Sequence, residues 1–316
     1  MSLDLGRSGR VIADVRSSGR GALVGYLPVG YPDVEVSLAA LRALGGDGES
    51  PGVDLVEVGM PYSDPVMDGV TVQRAGTRAL ARGVRTRDVF AGVEAVTAAG
   101  TPAVVMTYWN LVEHYGIDAF ARDLAGAGGL GIITPDLTPD EADAWVAASD
   151  AHGLDRIFLV SPSSTDLRLA STLRACRGWV YATSVMGVTG ARSSTSSVAP
   201  ALVQRVREAD PAAMVGVGLG VSDGAQAAEV ARFADAVIVG SALVSTLLTA
   251  EDAGRPDDLS GLRALVADLA AGVRAPADGL ADGPADDLTG DPASRTGGAP
   301  DSGSGTNRGT TRLVGT

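Results

Sequence analysis

The sequence predicts an α/β protein, a (β/α)8 TIM barrel followed by a disordered C-terminal tail. Three observations carry that prediction: eight short aliphatic or β-branched runs, amphipathic helical patterns between them, and glycine-rich turns behind the last three runs. Eight strand-helix alternations within about 250 residues favour a closed parallel barrel. A doubly wound open sheet uses the same units and is the structural alternative.

In chain order the strand runs are ALVGYL at 22–27, DLVEV at 54–58, AVVMT at 103–107, GII at 131–133, RIFLV at 156–160, WVYAT at 179–183, MVGV at 214–217 and AVIV at 236–239. Helical periodicity fills the intervals at 34–44, 86–99, 117–127, 139–152, 166–174, 198–208 and 224–233, and a closing helix falls near 259–274. From 275 to 316 the composition shifts to Gly, Pro, Ala, Asp, Ser and Thr with almost no large apolar residues, so that segment is expected to stay disordered. The domain reading is therefore a catalytic barrel over 1–274 and a tail over 275–316.

The composition narrows the chemistry. With 316 residues and 45% hydrophobic content, the chain can bury an aliphatic core in one large domain. Residues 1–10 carry no apolar run of a secretion signal, and the longest apolar stretch, 236–250, is too short for a bilayer and interrupted by Gly240, Ser241 and Ser245. A soluble cytoplasmic protein is the expectation. Net charge is −13 with scattered basic residues, which argues against nucleic-acid binding. The single cysteine, Cys176, has no internal disulfide partner and is expected in a helix core. All 25 basic residues are arginine. Without lysine, neither a Schiff-base aldolase nor a pyridoxal enzyme with its own internal aldimine can be built. His114 and His152 stand alone, which leaves no metal site expected and a zinc aldolase without ligands.

The most informative stretch is EVGMPYSDPVMDG, from Glu57 to Gly69. Glu57 falls in an apolar strand run, where burial should raise its pKa toward the range in which one carboxyl both gives and takes a proton. Asp68, beyond two prolines, should be wetter and stay ionised, so the two carboxylates can take different roles. Behind the last three strands lie Gly187-Val188-Thr189-Gly190, Gly216-Val217-Gly218-Leu219-Gly220 and Gly240-Ser241. Glycine lets backbone N–H groups approach an anion, and a short helix starting near Ser241 would aim its positive end at a phosphate.

Glu57 to Gly69, with Thr71 and Gln73 after it, resembles the signature of the tryptophan synthase α subunit family. Matching motifs follow in the family's order: Tyr26-Leu27-Pro28-Val29-Gly30-Tyr31-Pro32 upstream, then Tyr108-Trp109-Asn110, 116–120, Pro135-Asp136-Leu137, the glycine turns and Gly240-Ser241, covering roughly 20–274. The resemblance implies a lyase of tryptophan biosynthesis that cleaves indole-3-glycerol phosphate to indole and glyceraldehyde 3-phosphate by a retro-aldol reaction. It implies a heterotetramer with a β subunit, which receives the indole and carries the pyridoxal phosphate; this chain would need no cofactor.

Carried over residue by residue, Glu57 is the catalytic acid/base, Asp68 holds the indole nitrogen and Tyr181 lines the site. Gly190, Gly220, Gly240 and Ser241 hold the substrate phosphate, and Tyr108 and Asn110 are candidate contacts with the β subunit. Three departures touch loops: Tyr62 where phenylalanine is usual, Val185-Met186 where many members have a basic residue, and an extra polar stretch at 46–52. The rival readings are a stand-alone lyase that releases free indole, an allosteric activator of the partner with a vestigial site, and a phosphosugar isomerase on the same barrel.

Overall fold

The computed structural model describes residues 3–48, 50–183, 198–218 and 220–275. Helix α1 (Ser8–Ser17) leads into β1 (Ala22–Pro28), α2 (Val34–Leu44) and β2 (Leu55–Gly59). Two helices, α3 (Val70–Ala81) and α4 (Thr86–Ala98), return the chain to β3 (Ala103–Met106). Then come α5 (Trp109–Tyr115), α6 (Ile117–Gly126), β4 (Gly131–Ile133), a 3-10 turn (Pro139–Glu141) and α7 (Asp143–His152). After β5 (Asp155–Ile157) and β6 (Leu159–Val160) follow α8 (Asp166–Ala175), β7 (Val180–Thr183), α9 (Val198–Ala209), β8 (Val215–Gly218) and α10 (Gly224–Ala231). The described chain closes with β9 (Ala236–Val239), α11 (Ser241–Asp252) and α12 (Ser260–Arg274).

Every strand pairing is parallel, in the order β5-β4-β3-β2-β1-β9-β8-β7-β6. β5 and β6 are successive pieces of one strand, separated only by Phe158, so the order returns to its start and the sheet is a nearly closed barrel. The run expected at 156–160 splits because its first half pairs with β4 and its second half with β7. The predicted barrel class holds, with eight strand positions built from nine pieces.

Side chains alternate between the two faces of each strand. The inward set, Ala22, Val24, Leu55, Val104, Ile133, Ile157, Trp179, Ala236 and Ile238, forms its own buried cluster, into which α1 inserts Ile12. The outward set packs with the helices in a second, larger cluster that includes Leu23, Val56, Val58, Val105, Leu243 and Leu269. Following the inward alternation one step toward the strand C-termini gives Tyr26, Glu57, Met106, Leu159 and Tyr181. The top layer of the barrel filling is thus the floor of whatever binds there.

The sequence pattern missed α1, α3 and α5. α1 is not capped locally: its first N–H groups, Arg7 and Ser8, donate to the Asp155 carboxylate, and so does the Ser8 hydroxyl at 2.6 Å. That carboxylate lies 147 positions away in the chain, out of reach of any local pattern. Within the extra polar stretch, Gly46 and Pro51 pair in an antiparallel bridge, with Gly46 at φ +81°. Cys176 is buried but follows the last turn of α8 with extended backbone, so it is a core residue just outside the helix. The predicted tail, beyond Ala275, lies outside the described residues. Among the described residues no helix is long and apolar enough to cross a membrane.

Candidate active site

A pocket opens at the C-terminal end of the strands. Its walls include Tyr26, Glu57, Met67, Asp68, Val72, Met106, Leu159, Tyr181, Ile238 and, at the ends of β8 and β9, Gly218, Gly220, Gly240 and Ser241. It is mostly apolar, with a few convergent polar groups, which is the usual build of a small-molecule site.

Glu57 enters from β2, pointing inward between Leu55 and Gly59. The residue is 1% exposed, and its Oε1 has no hydrogen-bond partner among the described residues. Burial pushes its pKa from 4.5 up to about 8, because an ionised carboxylate loses hydration and gains no compensating donor. The sequence expectation for this group is met in direction.

Asp68 sits nine positions beyond Gly59, just before the first turn of α3. It is less wet than the sequence suggests: burial raises its pKa, opposed by a hydrogen bond from the Tyr108 hydroxyl at 2.9 Å. The same hydroxyl accepts from Met67 N at 3.1 Å, so Tyr108 fastens both the carboxylate and its backbone. Tyr62 stacks on Tyr108 with ring centroids 4.9 Å apart. Asp136, from the loop after β4, accepts from Trp109 N at 2.9 Å and steadies the turn that carries Tyr108.

At the pocket rim, α11 starts at Ser241 with Gly240 as its N-cap and no side-chain cap, leaving its first N–H groups pointing outward from the helix end. Gly220 adopts φ +71°, a left-handed conformation that suits glycine and exposes its backbone to the pocket. No basic side chain lines this rim among the described residues. An anion there meets N–H groups and a helix dipole.

The structure therefore brings Glu57, Asp68, Tyr181, Gly220, Gly240 and Ser241 to one pocket. Gly190 lies outside the described residues, as do Val185 and Met186. Sequence reasoning did not single out Tyr26, Met106, Leu159 or Ile238. The signal that would have found them is strand alternation, since each lies two residues beyond an interior-facing position.

A sequence profile of the family described as tryptophan synthase alpha chain matches residues 12–273. The chain belongs to that family. The tryptophan synthase alpha chain of Mycobacterium tuberculosis is 59% identical over 268 residues, covering 85% of this chain and 94% of its own length. That of Salinispora arenicola is 61% identical over 262 residues, covering 83% and 96%. Among solved structures, a tryptophan synthase structure from M. tuberculosis superposes with a TM-score of 0.78 at 60% identity, over 86% of this chain and 99% of that one. The tryptophan synthase alpha chain from Legionella pneumophila keeps a TM-score of 0.74 at 29% identity, over 85% and 97%.

The two residues expected at a partner surface differ in exposure. Asn110 is exposed. Tyr108 is 5% exposed and engaged with Asp68 and Tyr62, so its side chain packs behind the pocket residue Asp68. The 61–69 loop returns over the third-strand turn and brings these groups together.

Proposed function

We propose that this chain is the α subunit of tryptophan synthase, a lyase that cleaves indole-3-glycerol phosphate and passes indole to the β subunit. The observation that carries the proposal is a buried carboxyl, its pKa raised to about 8 and its Oε1 without a partner among the described residues, in an apolar pocket that also holds a second carboxyl and an N–H-lined rim.

The chemistry balances on that geometry. Protonated Glu57 gives its proton to indole C3, and the resulting carboxylate takes the proton of the hydroxyl on the attached carbon. The carbon–carbon bond then breaks, its electrons return to the ring, the hydroxyl becomes an aldehyde, and Glu57 ends protonated. Positive charge that develops on the ring nitrogen meets Asp68, which the Tyr108 hydrogen bond holds in place. Met106, Leu159 and Ile238 supply apolar walls for the flat ring, Tyr181 completes the floor, and Gly220, Gly240 and Ser241 receive the phosphate. Within the lyases this step breaks a carbon–carbon bond, while the complete tryptophan synthase reaction belongs with the carbon–oxygen lyases. With no lysine in the chain, pyridoxal phosphate is assigned to the partner, in an α2β2 assembly in the cytoplasm.

The test is indole release from indole-3-glycerol phosphate by the purified chain, with and without a tryptophan synthase β subunit. Slow release that the β subunit accelerates is expected. Fast release that the β subunit leaves unchanged would point to a stand-alone lyase, and no release under either condition would overturn the substrate assignment.

A further inference from the structure

Tyr26 is the polar pocket residue to which neither the two-carboxylate reaction nor the phosphate rim assigns a task. It is the parallel neighbour of Glu57 across β1 and β2, so both side chains enter the barrel mouth side by side. Its ring crosses the pocket between two glycines. A Cβ at Gly240 would lie 3.4 Å from its Cδ1, while a Cβ at Gly59 would lie 2.4 Å from its hydroxyl oxygen. The aromatic ring thus starts at the phosphate rim and ends, hydroxyl first, over the strand of Glu57. Gly59 has no side chain there because the tyrosine occupies that space.

Among the described residues nothing uses this hydroxyl in a hydrogen bond, although Glu57, Asp68, Tyr108 and Tyr181 are all close enough to act on it electrostatically. The other polar side chains are already directed elsewhere. Thr183 donates to Val160 O at 3.2 Å, Asp68 is held by Tyr108, Ser241 belongs to the phosphate rim, and the Tyr181 hydroxyl lies against Gly218, where a Cβ would be 2.6 Å from it.

Resting on the indole-3-glycerol phosphate reading, we propose that the Tyr26 hydroxyl hydrogen-bonds the central hydroxyl of the glycerol side chain and makes the site specific for a dihydroxylated linker. The substrate has two side-chain hydroxyls. The one beside the ring is claimed by Glu57, and the phosphate is claimed by the rim around Gly240. The central hydroxyl falls between them, which is the span that Tyr26 covers. The bond forms in the ground state and persists in the transition state, so its loss raises KM more than it lowers kcat.

The experiment compares the full chain with Tyr26→Phe, each assayed with the β subunit, on two substrates: indole-3-glycerol phosphate and its analogue lacking only the central hydroxyl. On the natural substrate the variant should raise KM roughly 3- to 10-fold with kcat within about 2-fold, the worth of one net hydrogen bond. On the analogue the two proteins should agree. Unchanged kinetics of the variant on the natural substrate would overturn the proposal, as would an equal loss on both substrates, which would mark a packing effect. Indole release by the unmutated chain in the same assay separates this outcome from failure of the functional reading: no release from either protein overturns both.

Discussion

Replacing Glu57 by Gln tests the central electrostatic claim through stability as well as rate. Glu57 carries a pKa of about 8 in the fold against 4.5 unperturbed, raised by burial. The folded state therefore binds the proton more tightly than the unfolded chain. Its contribution is fully present below pH 4.5, is lost as pH rises toward 8, and changes no further above that. At pH 7 about one molecule in ten is ionised, and the linkage amounts to about 3 kcal/mol; by pH 9 it is about 5 kcal/mol. Glutamine keeps the shape and cannot ionise, so the variant lacks this loss. Urea unfolding of both proteins across pH 5 to 9 should show the wild type losing about 4 kcal/mol that the variant retains, every other titrating group being common to the two. Turnover, measured by indole release, should fall roughly 10²-fold or more while substrate still binds, because glutamine cannot cycle a proton. Parallel stability curves for the two proteins would refute the raised pKa, and near-normal turnover would remove Glu57 from the reaction.

Three other perturbations follow from the same geometry. Asp68→Asn should lower kcat about 10²-fold with less than about 1 kcal/mol change in stability, and a rate equal to wild type would sink its role at the ring nitrogen. Tyr108→Phe frees the Asp68 carboxylate and Met67 N together, so kcat should drop about 10-fold and stability by about 1–2 kcal/mol; a variant as active and stable as wild type would show that Asp68 needs no such support. At the far ends of α3 and α11, Glu251 accepts from Tyr31 at 2.5 Å, Arg82 at 2.5 Å and Arg78. Burial opposes the charge there, yet the bonds from Tyr31, Arg82 and Arg78 outweigh it and hold the carboxyl below 4.5. Glu251→Gln should therefore cost about 1–3 kcal/mol at neutral pH, and the difference should shrink as pH falls below 4.5, the sign for a depressed acid. Chemical unfolding at neutral and acid pH would check it, and a difference independent of pH would count against the carboxylate's part.

Strand alternation and the 3.6-residue helical period are local properties, so the eight strand positions, the helices from α2 onward that carry clear apolar stripes, and the barrel class could be read directly. The carboxylate pair was legible for the same reason: Glu57 interrupts an apolar strand and Asp68 ends the proline-rich loop behind it. The amino-acid sequence by itself determined which residues could do chemistry, including the absence of lysine. Tertiary structure decided which of them meet. It placed Tyr26 beside Glu57 through a parallel register, made Tyr108 the anchor of Asp68, and formed α1 by capping it with a carboxylate 147 residues distant. Those outcomes depend on closing the sheet, which brings residues far apart in the chain within hydrogen-bond range. No local pattern encodes such distances.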